Sequence, residues 1–369
     1  MSKPGEPETA RPLRAGVIGC GAMGQMHFNA YSRLEGAVEV AGLCDLDAAR
    51  LAAAAEKFPQ AHTTADYREL FAIANLDLLS ICTMPNTHCE IAVAALEAGA
   101  HVLCEKPFAM DMAQADRMLA AAARVERHIQ VGTNMRHMSQ AGALRDVVAS
   151  GAVGKPVYIR AWPYFTDIPW YAPHIVKCIS AGGALASTAI HILDVALWVA
   201  GSPDVVAVAG STHKTFPHKR RETAPTPAAR DAYDVEDIAA AHIRLANGAT
   251  LILEGTWAHE RKQSHYSFEM ICEKGTLTLD PVSVLVDEAG EIVDRTPEEF
   301  KEAADGWGAS VNRELERFAT AIRTGGAPAQ SPREIRNLQR IQDAIYESAH
   351  SGREVRFDES HMDRAMQIA

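Results

Sequence analysis

The sequence predicts an α/β protein built from two parts that differ in how their strands are connected. Between residues 14 and 132, short apolar runs alternate with helical segments, which indicates a parallel sheet with helices on both faces. From about residue 155, strand-like runs follow one another through tight turns such as Asn247-Gly248, which indicates an antiparallel sheet in an α+β domain. We therefore expect one domain over residues 13–135 and a second over residues 136–369.

The elements of both parts follow from their apolar patterns. Strands of the first part lack polar alternation, as is typical of strands buried on both faces, and the helices carry apolar residues at helical spacing. In the first part we expect strands over 14–18, 38–44, 76–83, 101–104 and 128–132, and helices over 22–34, 48–58, 87–98 and 112–124. In the second part we expect strands over 157–162, 205–209, 238–245, 250–255, 266–272, 275–279 and 283–287, and helices over 183–200, 311–324 and 332–351.

A glycine motif lies between the first strand and the first helix. Gly19 permits a tight turn, Gly21 lets the backbone approach a pyrophosphate, and Gly24 lets helix and strand pack closely. The amides at the helix start, including those of Ala22 and Met23, would face the phosphates. The strand–turn–helix context favours a dinucleotide site over a glycine-rich turn of another α/β domain, which stays the alternative.

Asp45 ends the second strand, 21 residues beyond Gly24. A carboxylate there would accept hydrogen bonds from the adenosine ribose hydroxyls and repel a 2′-phosphate. NAD is therefore favoured over NADP as cofactor, although Arg50 lies close enough in sequence to complicate this choice.

The turn after the third predicted strand leaves the carboxyl end of the sheet, where ligands bind in open α/β sheets. Its residues Thr83, Pro85, Asn86 and His88 are expected to line the cofactor. Asn is also a preferred helix cap, so Asn86 serving only as a cap is an equal alternative. The expected cofactor contacts also include Glu105, Lys106 and Asn134.

Lys106 is the first candidate acid/base residue, because it follows a strand whose carboxyl end faces the cofactor. Hydride transfer to or from a carbonyl needs a group that moves the proton of the oxygen, and burial would lower the lysine pKa towards a useful range. Pro107 fixes the local backbone. The alternative is an exposed lysine at a strand end.

Ser187, His191 and Asp194 form a polar stripe on an apolar helix that follows Gly182-Gly183. Their spacing places them on one face, and such a stripe is costly unless its members are paired or used. We expect His191 to act in catalysis and Ser187 and Asp194 to bind substrate. The alternatives are a satisfied core histidine and an aspartate that orients it or caps a loop.

An aromatic cluster precedes this helix and consists of Trp162, Tyr164, Phe165, Trp170 and Tyr171. Aromatic faces stack on sugars, and Arg160, His174 and Lys177 lie in the same segment. We expect Arg160, Trp162, Tyr164 and His174 to bind substrate. The alternative is an aromatic patch in the core or at a subunit interface.

Composition excludes several classes of function. The formal net charge of −11 argues against nucleic acid or an anionic membrane as partner. The seven cysteines include no CxxC pair, which favours reduced thiols and no metal site. Without a signal-like start or an apolar run of about 18 residues, we expect no membrane span and a cytoplasmic location. Residues 1–12 are expected to be a flexible tail, and the basic stretch 213–231 a solvated loop, an arm to a partner subunit, or a clamp for an anionic substrate.

With these motifs the chain resembles the Gfo/Idh/MocA family of oxidoreductases. The resemblance rests on the glycine motif, Asp45, Pro85-Asn86 with His88, Glu105-Lys106-Pro107, and the segment from Gly182 to Asp194. It implies an N-terminal Rossmann domain, a C-terminal domain with an open, mostly antiparallel sheet, and homo-oligomers, dimers or tetramers, packed through that sheet. It also implies NAD-dependent oxidation or reduction of sugars, polyols or similar hydroxy compounds.

The usual catalytic set of that family is the lysine of Glu-Lys-Pro with an aspartate and a histidine four residues apart. Lys106 and His191 match, but Ser187 stands at the aspartate position and Ala189 at a glycine position. The leading hypothesis is a dehydrogenase in which Lys106 and His191 are the acid/base groups. The alternatives are a glycosidase-like enzyme that retains its NAD, and a non-catalytic regulatory protein that senses the cofactor.

Overall fold

The computed structural model describes residues 11–72, 76–169, 172–215, 226–257, 259–300 and 305–357, which form two sheets. The first sheet has six parallel strands in the order β3-β2-β1-β4-β5-β6. Its strands are β1 (Leu13–Ile18), β2 (Val38–Cys44), β3 (His62–Thr64), β4 (Leu78–Ile81), β5 (His101–Cys104) and β6 (Ile129–Val131). The helices between them are α1 (Ala22–Arg33), α2 (Ala48–Lys57), α3 (Tyr67–Ala72), α4 (Pro85–Glu97) and α5 (Met112–Arg124).

The second sheet has nine strands in the order β14-β13-β12-β11-β7-β10-β9-β8-β15. Its strands are β7 (Pro156–Tyr164), β8 (Val205–His213), β9 (Ile238–Leu245), β10 (Thr250–Thr256), β11 (His265–Cys272), β12 (Gly275–Leu279), β13 (Val282–Glu288), β14 (Glu291–Asp294) and β15 (Val355–Arg356). All neighbours pair antiparallel except β7 and β10, which pair parallel. The predicted α/β fold with a parallel sheet and a mostly antiparallel sheet is confirmed.

The remaining helices connect or cover the second sheet. They are α6 (Ser139–Ala149), α7 (Lys177–Ser180), α8 (Ile190–Val199), α9 (Pro227–Asp231), α10 (Trp307–Thr324) and α11 (Pro332–Ser351). The predicted last helix is confirmed with a capping box between Ser331 and Glu334. The short strands β3, β14 and β15 and the helices α3 and α6 were not predicted.

Helices α10 and α11, although late in the chain, pack back onto the first sheet. Leu315 and Phe318 of α10 share a buried cluster with Phe28 of α1, and Ile335 of α11 belongs to the cluster under α4 and α5. Both sheets therefore meet along the carboxyl ends of β5 and β6, which is where parallel sheets place their ligands. The division at residue 135 stays a prediction.

One helical stretch of the described residues, Lys177–Val199, is long and apolar enough to cross a membrane. The expectation that no such run exists is corrected by this stretch. However, 89% of its most apolar window is buried inside the protein, and Leu193 and Val195 are fully covered in the core under the second sheet. Its apolarity is explained by its place between the two sheets.

Candidate active site

The glycine turn after β1 is sterically required. Gly19 has a φ of +94°, and a Cβ there would lie 2.5 Å from the carbonyl oxygen of Cys82. A Cβ on Gly24 would overlap the carbonyl oxygen of Gly19. A Cβ on Gly21 would meet only the Arg50 guanidinium, at 3.6 Å. Side chains at positions 19 and 24 would therefore collide with the protein backbone, whereas the backbone at Gly21 is accessible. A phosphate needs such access to approach the turn.

The start of α1 and Asp45 complete this end of the site. Because α1 begins at Ala22, the first amides of the helix, including that of Met23, lack partners within the helix. Asp45 accepts hydrogen bonds from the amides of Cys20 at 2.6 Å and Asp47 at 2.8 Å. Its carboxylate is therefore fixed beside the glycine turn, with lone pairs left for ribose hydroxyls.

The turn after β4 differs from its sequence interpretation. Helix α4 begins at Pro85 with Met84 at the cap, so exposed Asn86 lies in the first turn and its interpretation as a cap is wrong. His88 is fully buried between the carbonyl oxygens of Pro107, at 2.9 Å, and Thr83, at 3.1 Å. His88 thus connects the two loops, and its expected contact with the cofactor stays a prediction.

Lys106 lies where the two sheets meet. It follows β5, its bond to Pro107 is cis, and its Nζ donates a hydrogen bond to the carbonyl oxygen of Ser187 at 3.0 Å. Burial lowers the pKa of Lys106 below its usual value, and the charge of Glu105 opposes that shift. The amine is thus more readily deprotonated than that of a lysine in water.

Gly182-Gly183 is explained by packing. A Cβ on Gly183 would overlap the carbonyl oxygen of Glu236, and one on Gly182 would overlap the hydroxyl of Tyr346. The Glu236 carboxylate in turn accepts from the amides of Gly183 and Leu185, both at 2.9 Å. This contact fixes the start of the segment that carries Ser187.

Ser187 and His191 face Lys106 from that segment. Residues Leu185–Ala189 form a π-helical turn before α8, a local irregularity that is frequent at functional sites. Ser187 is half-buried, whereas the residues around it are buried. His191 is 3% exposed, and its Nδ1 has no hydrogen-bond partner among the described residues. Burial first, and the charge of Lys106 second, hold the pKa of His191 well below its usual value.

His174 joins this group from the 3-10 turn Ala172–Ile175. Burial and the charge of Lys106 lower its pKa to about 4. The structure thus gathers Lys106, His191, Ser187 and His174, from three separate segments, into one cleft. These four predicted residues lie where proton transfer to a ligand oxygen is feasible.

Asp194 is held in a buried ion pair, and the expectation that it binds substrate stays a prediction. Its carboxylate accepts two hydrogen bonds from the guanidinium of Arg136, at 2.8 and 2.5 Å, and one from Gln330 at 3.1 Å. Asp194 and Arg136 are at most 3% exposed. The ion pair ties α8 to the 3-10 turn that follows β6.

Arg160, Trp162 and Tyr164 lie on the outer face of the second sheet, and their expected contact with substrate stays a prediction. They alternate along β7 with Ile159 and Ala161, which are fully buried in the cluster that includes α8. Since strand side chains alternate between faces, the three residues project from the opposite, outer face. There the hydroxyl of Tyr164 and the guanidinium of Arg160 contact Glu254, and Trp162 donates to His265.

Helix α10 supplies residues that the sequence did not indicate. Trp307 packs edge-to-face on His191 with ring centroids 4.8 Å apart. Ser310, one turn later, accepts a hydrogen bond from the amide of Asn134 at 2.8 Å, and the Oδ1 of Asn134 has no partner among the described residues. The predicted helix begins at Val311, so the sequence analysis places Trp307 and Ser310 in a loop. The spacing of three residues between them is the one sequence feature that would have placed them on one face of a helix.

Other predicted features lie wholly or partly beyond the described residues. Trp170, Tyr171, residues 216–225 of the basic stretch and residues 1–10 of the tail fall outside them. Within the described residues, no group of three or more His, Cys, Asp or Glu side chains is arranged to hold a metal ion. The seven cysteines are free thiols, and only Cys178 is exposed.

The Arg136–Asp194 pair makes a testable contribution to stability. Replacing Asp194 with Ala leaves the buried guanidinium without its main counter-charge, which is expected to lower the free energy of unfolding by about 3–5 kcal/mol. Asp204→Ala is the matched control, because it breaks an ion pair to the largely exposed Arg333 and should cost less than about 1 kcal/mol. Urea unfolding of both variants checks this, and equal losses would contradict the structural role of Asp194.

Comparison with known proteins agrees with this geometry. Residues 13–133 match the family model of the Gfo/Idh/MocA oxidoreductases with an NAD-binding Rossmann fold, and residues 142–278 match the C-terminal domain of the same family. The chain is similar to D-glucoside 3-dehydrogenase of Escherichia coli (27% identity; 94% of this chain, 98% of that protein) and to myo-inositol 2-dehydrogenase of Thermotoga maritima (26%; 94% and 99%).

Solved structures give the same result. The chain is similar to levoglucosan dehydrogenase in complex with NADH and levoglucosan, with a TM-score of 0.82, 26% identity, and coverage of 94% of this chain and 99% of that one. Both domains are thus shared with an NADH-bound structure. The matched domains, the glycine turn and the lysine at the end of β5 together establish that this chain belongs to the Gfo/Idh/MocA family of NAD-binding oxidoreductases.

Proposed function

We propose that this protein is an NAD-dependent dehydrogenase of a sugar, polyol or similar small hydroxy compound, with Lys106 and His191 as its acid/base groups. The observation that carries the proposal is the half-buried Lys106, whose amine lies 3.0 Å from the Ser187 carbonyl oxygen and whose charge lowers the pKa of His191. Relatives named for glucoside, inositol and levoglucosan dehydrogenases support the substrate class.

The residues present fit NAD. The accessible backbone at Gly21 and the free amides of α1 would hold the pyrophosphate, and Asp45 would hold the adenosine ribose. The buried, unpartnered Oδ1 of Asn134 is suited to accept from an amide group, such as the carboxamide of nicotinamide. When bound, NAD supplies the ring carbon that accepts or gives the hydride.

Proton movement is assigned to this chain's own residues. In the direction of oxidation, the neutral amine of Lys106 takes the hydroxyl proton as the carbon–hydrogen bond breaks; in reduction, its ammonium returns a proton to the carbonyl oxygen. The low pKa of His191 keeps its imidazole neutral, so its Nδ1 can accept a hydrogen bond from Lys106 or from a substrate hydroxyl. Ser187 and His174 offer hydrogen bonds to neighbouring hydroxyls.

Replacing Lys106 tests the proposal. Lys106→Met removes the amine but keeps the length of the side chain, so turnover should fall about 100- to 10,000-fold while NADH binding persists. The absorbance of NADH, followed with NAD and a panel of sugars, polyols and uronic acids, measures turnover. The exposed Lys155, replaced in the same way, is the control.

The pH profile gives the second readout of the same variant. Because burial lowers the pKa of Lys106, the oxidation rate of the wild type should rise with pH and then level off. The midpoint of this rise should lie below the usual lysine pKa of 10.5. The rise with pH should be absent from the residual activity of Lys106→Met. Full turnover in Lys106→Met, or the same rise with pH, would contradict the role of Lys106 as the base.

Asp45 should determine the preference for NAD. Asp45→Asn removes the charge that repels a 2′-phosphate and leaves Arg50 nearby, so the ratio of kcat/KM for NAD over NADP should fall about tenfold or more. Glu39→Gln makes the same change of charge at the other end of β2 and should leave the ratio unaltered. An unchanged ratio in Asp45→Asn would contradict this role.

We also propose that the protein is a cytoplasmic homo-oligomer joined through the outer face of the second sheet. That face carries Trp162 and Tyr164 together with the partly exposed Ile271 and Leu285. Exposed apolar side chains on a broad sheet favour burial against another copy.

Replacing an exposed apolar residue of that face tests the interface. Ile271→Glu should lower the molar mass measured by light scattering, whereas Leu46→Glu, in the part of the chain that forms the first sheet, should not. A wild-type monomer would refute the interface.

A further inference from the structure

A chain of buried polar side chains runs from helix α1 to the residue before Lys106. The hydroxyl of Tyr31 lies 2.7 Å from the Oγ of Ser80, which lies 2.9 Å from the Nδ1 of His27. The Nε2 of His27 lies 3.1 Å from an Oε1 of Glu105. Tyr31 and Glu105 are 2% and 4% exposed, and His27 and Ser80 are fully buried. We call these four residues the polar chain.

Protons can be placed on the polar chain in one consistent way when His27 is neutral. An ionised Glu105 only accepts, so the Nε2 of His27 must donate to it. The Nδ1 of His27 then accepts from the hydroxyl of Ser80, whose oxygen accepts from the hydroxyl of Tyr31. Each donor of the polar chain therefore points towards Glu105.

Glu105 connects the polar chain to the backbone of Lys106. Its Oε2 accepts a hydrogen bond from the backbone amide of Lys106 at 3.3 Å. Its negative charge opposes the fall in the pKa of Lys106 that burial causes. The amine donates to the carbonyl oxygen of Ser187, and neither this oxygen nor the hydroxyl of Ser187 carries a charge.

Other titratable groups face this pair from the elements around it. Those near Lys106 are His174 and His191, and those near Glu105 are His27, Cys82, His88, Cys104 and Glu314. Burial first, and the charge of Glu105 second, hold the pKa of Glu314 well above its usual value. The neutral form of Glu314 is therefore favoured.

We propose that the polar chain holds the Glu105 carboxylate in place next to Lys106, so that His27 and Glu105 are positioning residues which supply the negative charge that Ser187 cannot. The consequence for catalysis rests on the proposed function of Lys106, but the charge relation itself does not. Without the charge of Glu105, the Lys106 amine would lose its proton at a lower pH, so a smaller fraction would carry the proton that carbonyl reduction needs at neutral pH.

The test measures the protonation of Lys106 directly and needs no substrate. Cyanate reacts only with a free amine, so the extent of carbamoylation of the Lys106 peptide, followed by mass spectrometry over a range of pH, reports its titration. Glu105→Gln should move the midpoint about one pH unit lower. His27→Leu should move it in the same direction by less. Exposed Lys155 in the same samples is the internal control.

Two conservative variants separate the proposal from simple loss of packing. His27→Gln keeps an N–H donor towards Glu105 and should restore the wild-type midpoint. Tyr31→Phe leaves the Ser80 hydroxyl free to donate to His27 and should also keep that midpoint, although it removes a buried hydrogen bond. A wild-type midpoint in folded Glu105→Gln and His27→Leu, with normal NADH binding, would overturn the proposal.

A further measurement covers variants that fail to fold. Nitrogen-15 resonances of histidine in the wild-type protein should show the proton of His27 on Nε2 and a bare Nδ1, and the reverse tautomer would overturn the proposal. Failure of the dehydrogenase proposal remains distinguishable, because it would appear as absence of turnover with every sugar while the Lys106 titration still responds to Glu105.

Discussion

The active cleft depends on one buried ion pair, which holds helix α8 against the end of the first sheet. Arg136 follows β6, Asp194 lies on α8, and their two hydrogen bonds of 2.8 and 2.5 Å cross the boundary between the sheets. His191 precedes Asp194 by three residues, about one helical turn. The ion pair of Asp194 therefore also fixes the position of His191 along the helix axis relative to Lys106. Gln330, from the start of the last helix, adds a third contact to the same carboxylate.

Exclusion of water then determines the chemistry of the cleft. Burial is the largest cause of the lowered pKa of Lys106, His174 and His191, and the charge of Lys106 lowers the two histidines further. Three basic groups placed this close cannot all be protonated. The cleft therefore offers neutral proton acceptors, and it avoids a concentration of positive charge where an oxidised nicotinamide ring, itself cationic, would have to bind.

The sequence predicted what depends on local pattern and missed what depends on distant contacts. The glycine turn, the strand that ends at Lys106 and the segment bearing His191 all follow from neighbours in the chain. Alternation along β7 shows that Arg160 and Trp162 share a face but cannot tell which face is covered. Similarly, nothing near Asp194 indicates Arg136, 58 residues away, and the role of α10 depends on its return to the first sheet.

The charge that acts on the Lys106 amine comes from the residue before it in the chain. Ser187, which the amine contacts, presents neutral oxygens, and the carboxylate of Asp194 is paired with Arg136. Glu105 is held by His27 and by the backbone of Lys106 itself. Its charge favours the protonated form of the amine whether or not substrate is present. This chain can therefore carry serine at position 187 and still balance the charge of its buried lysine.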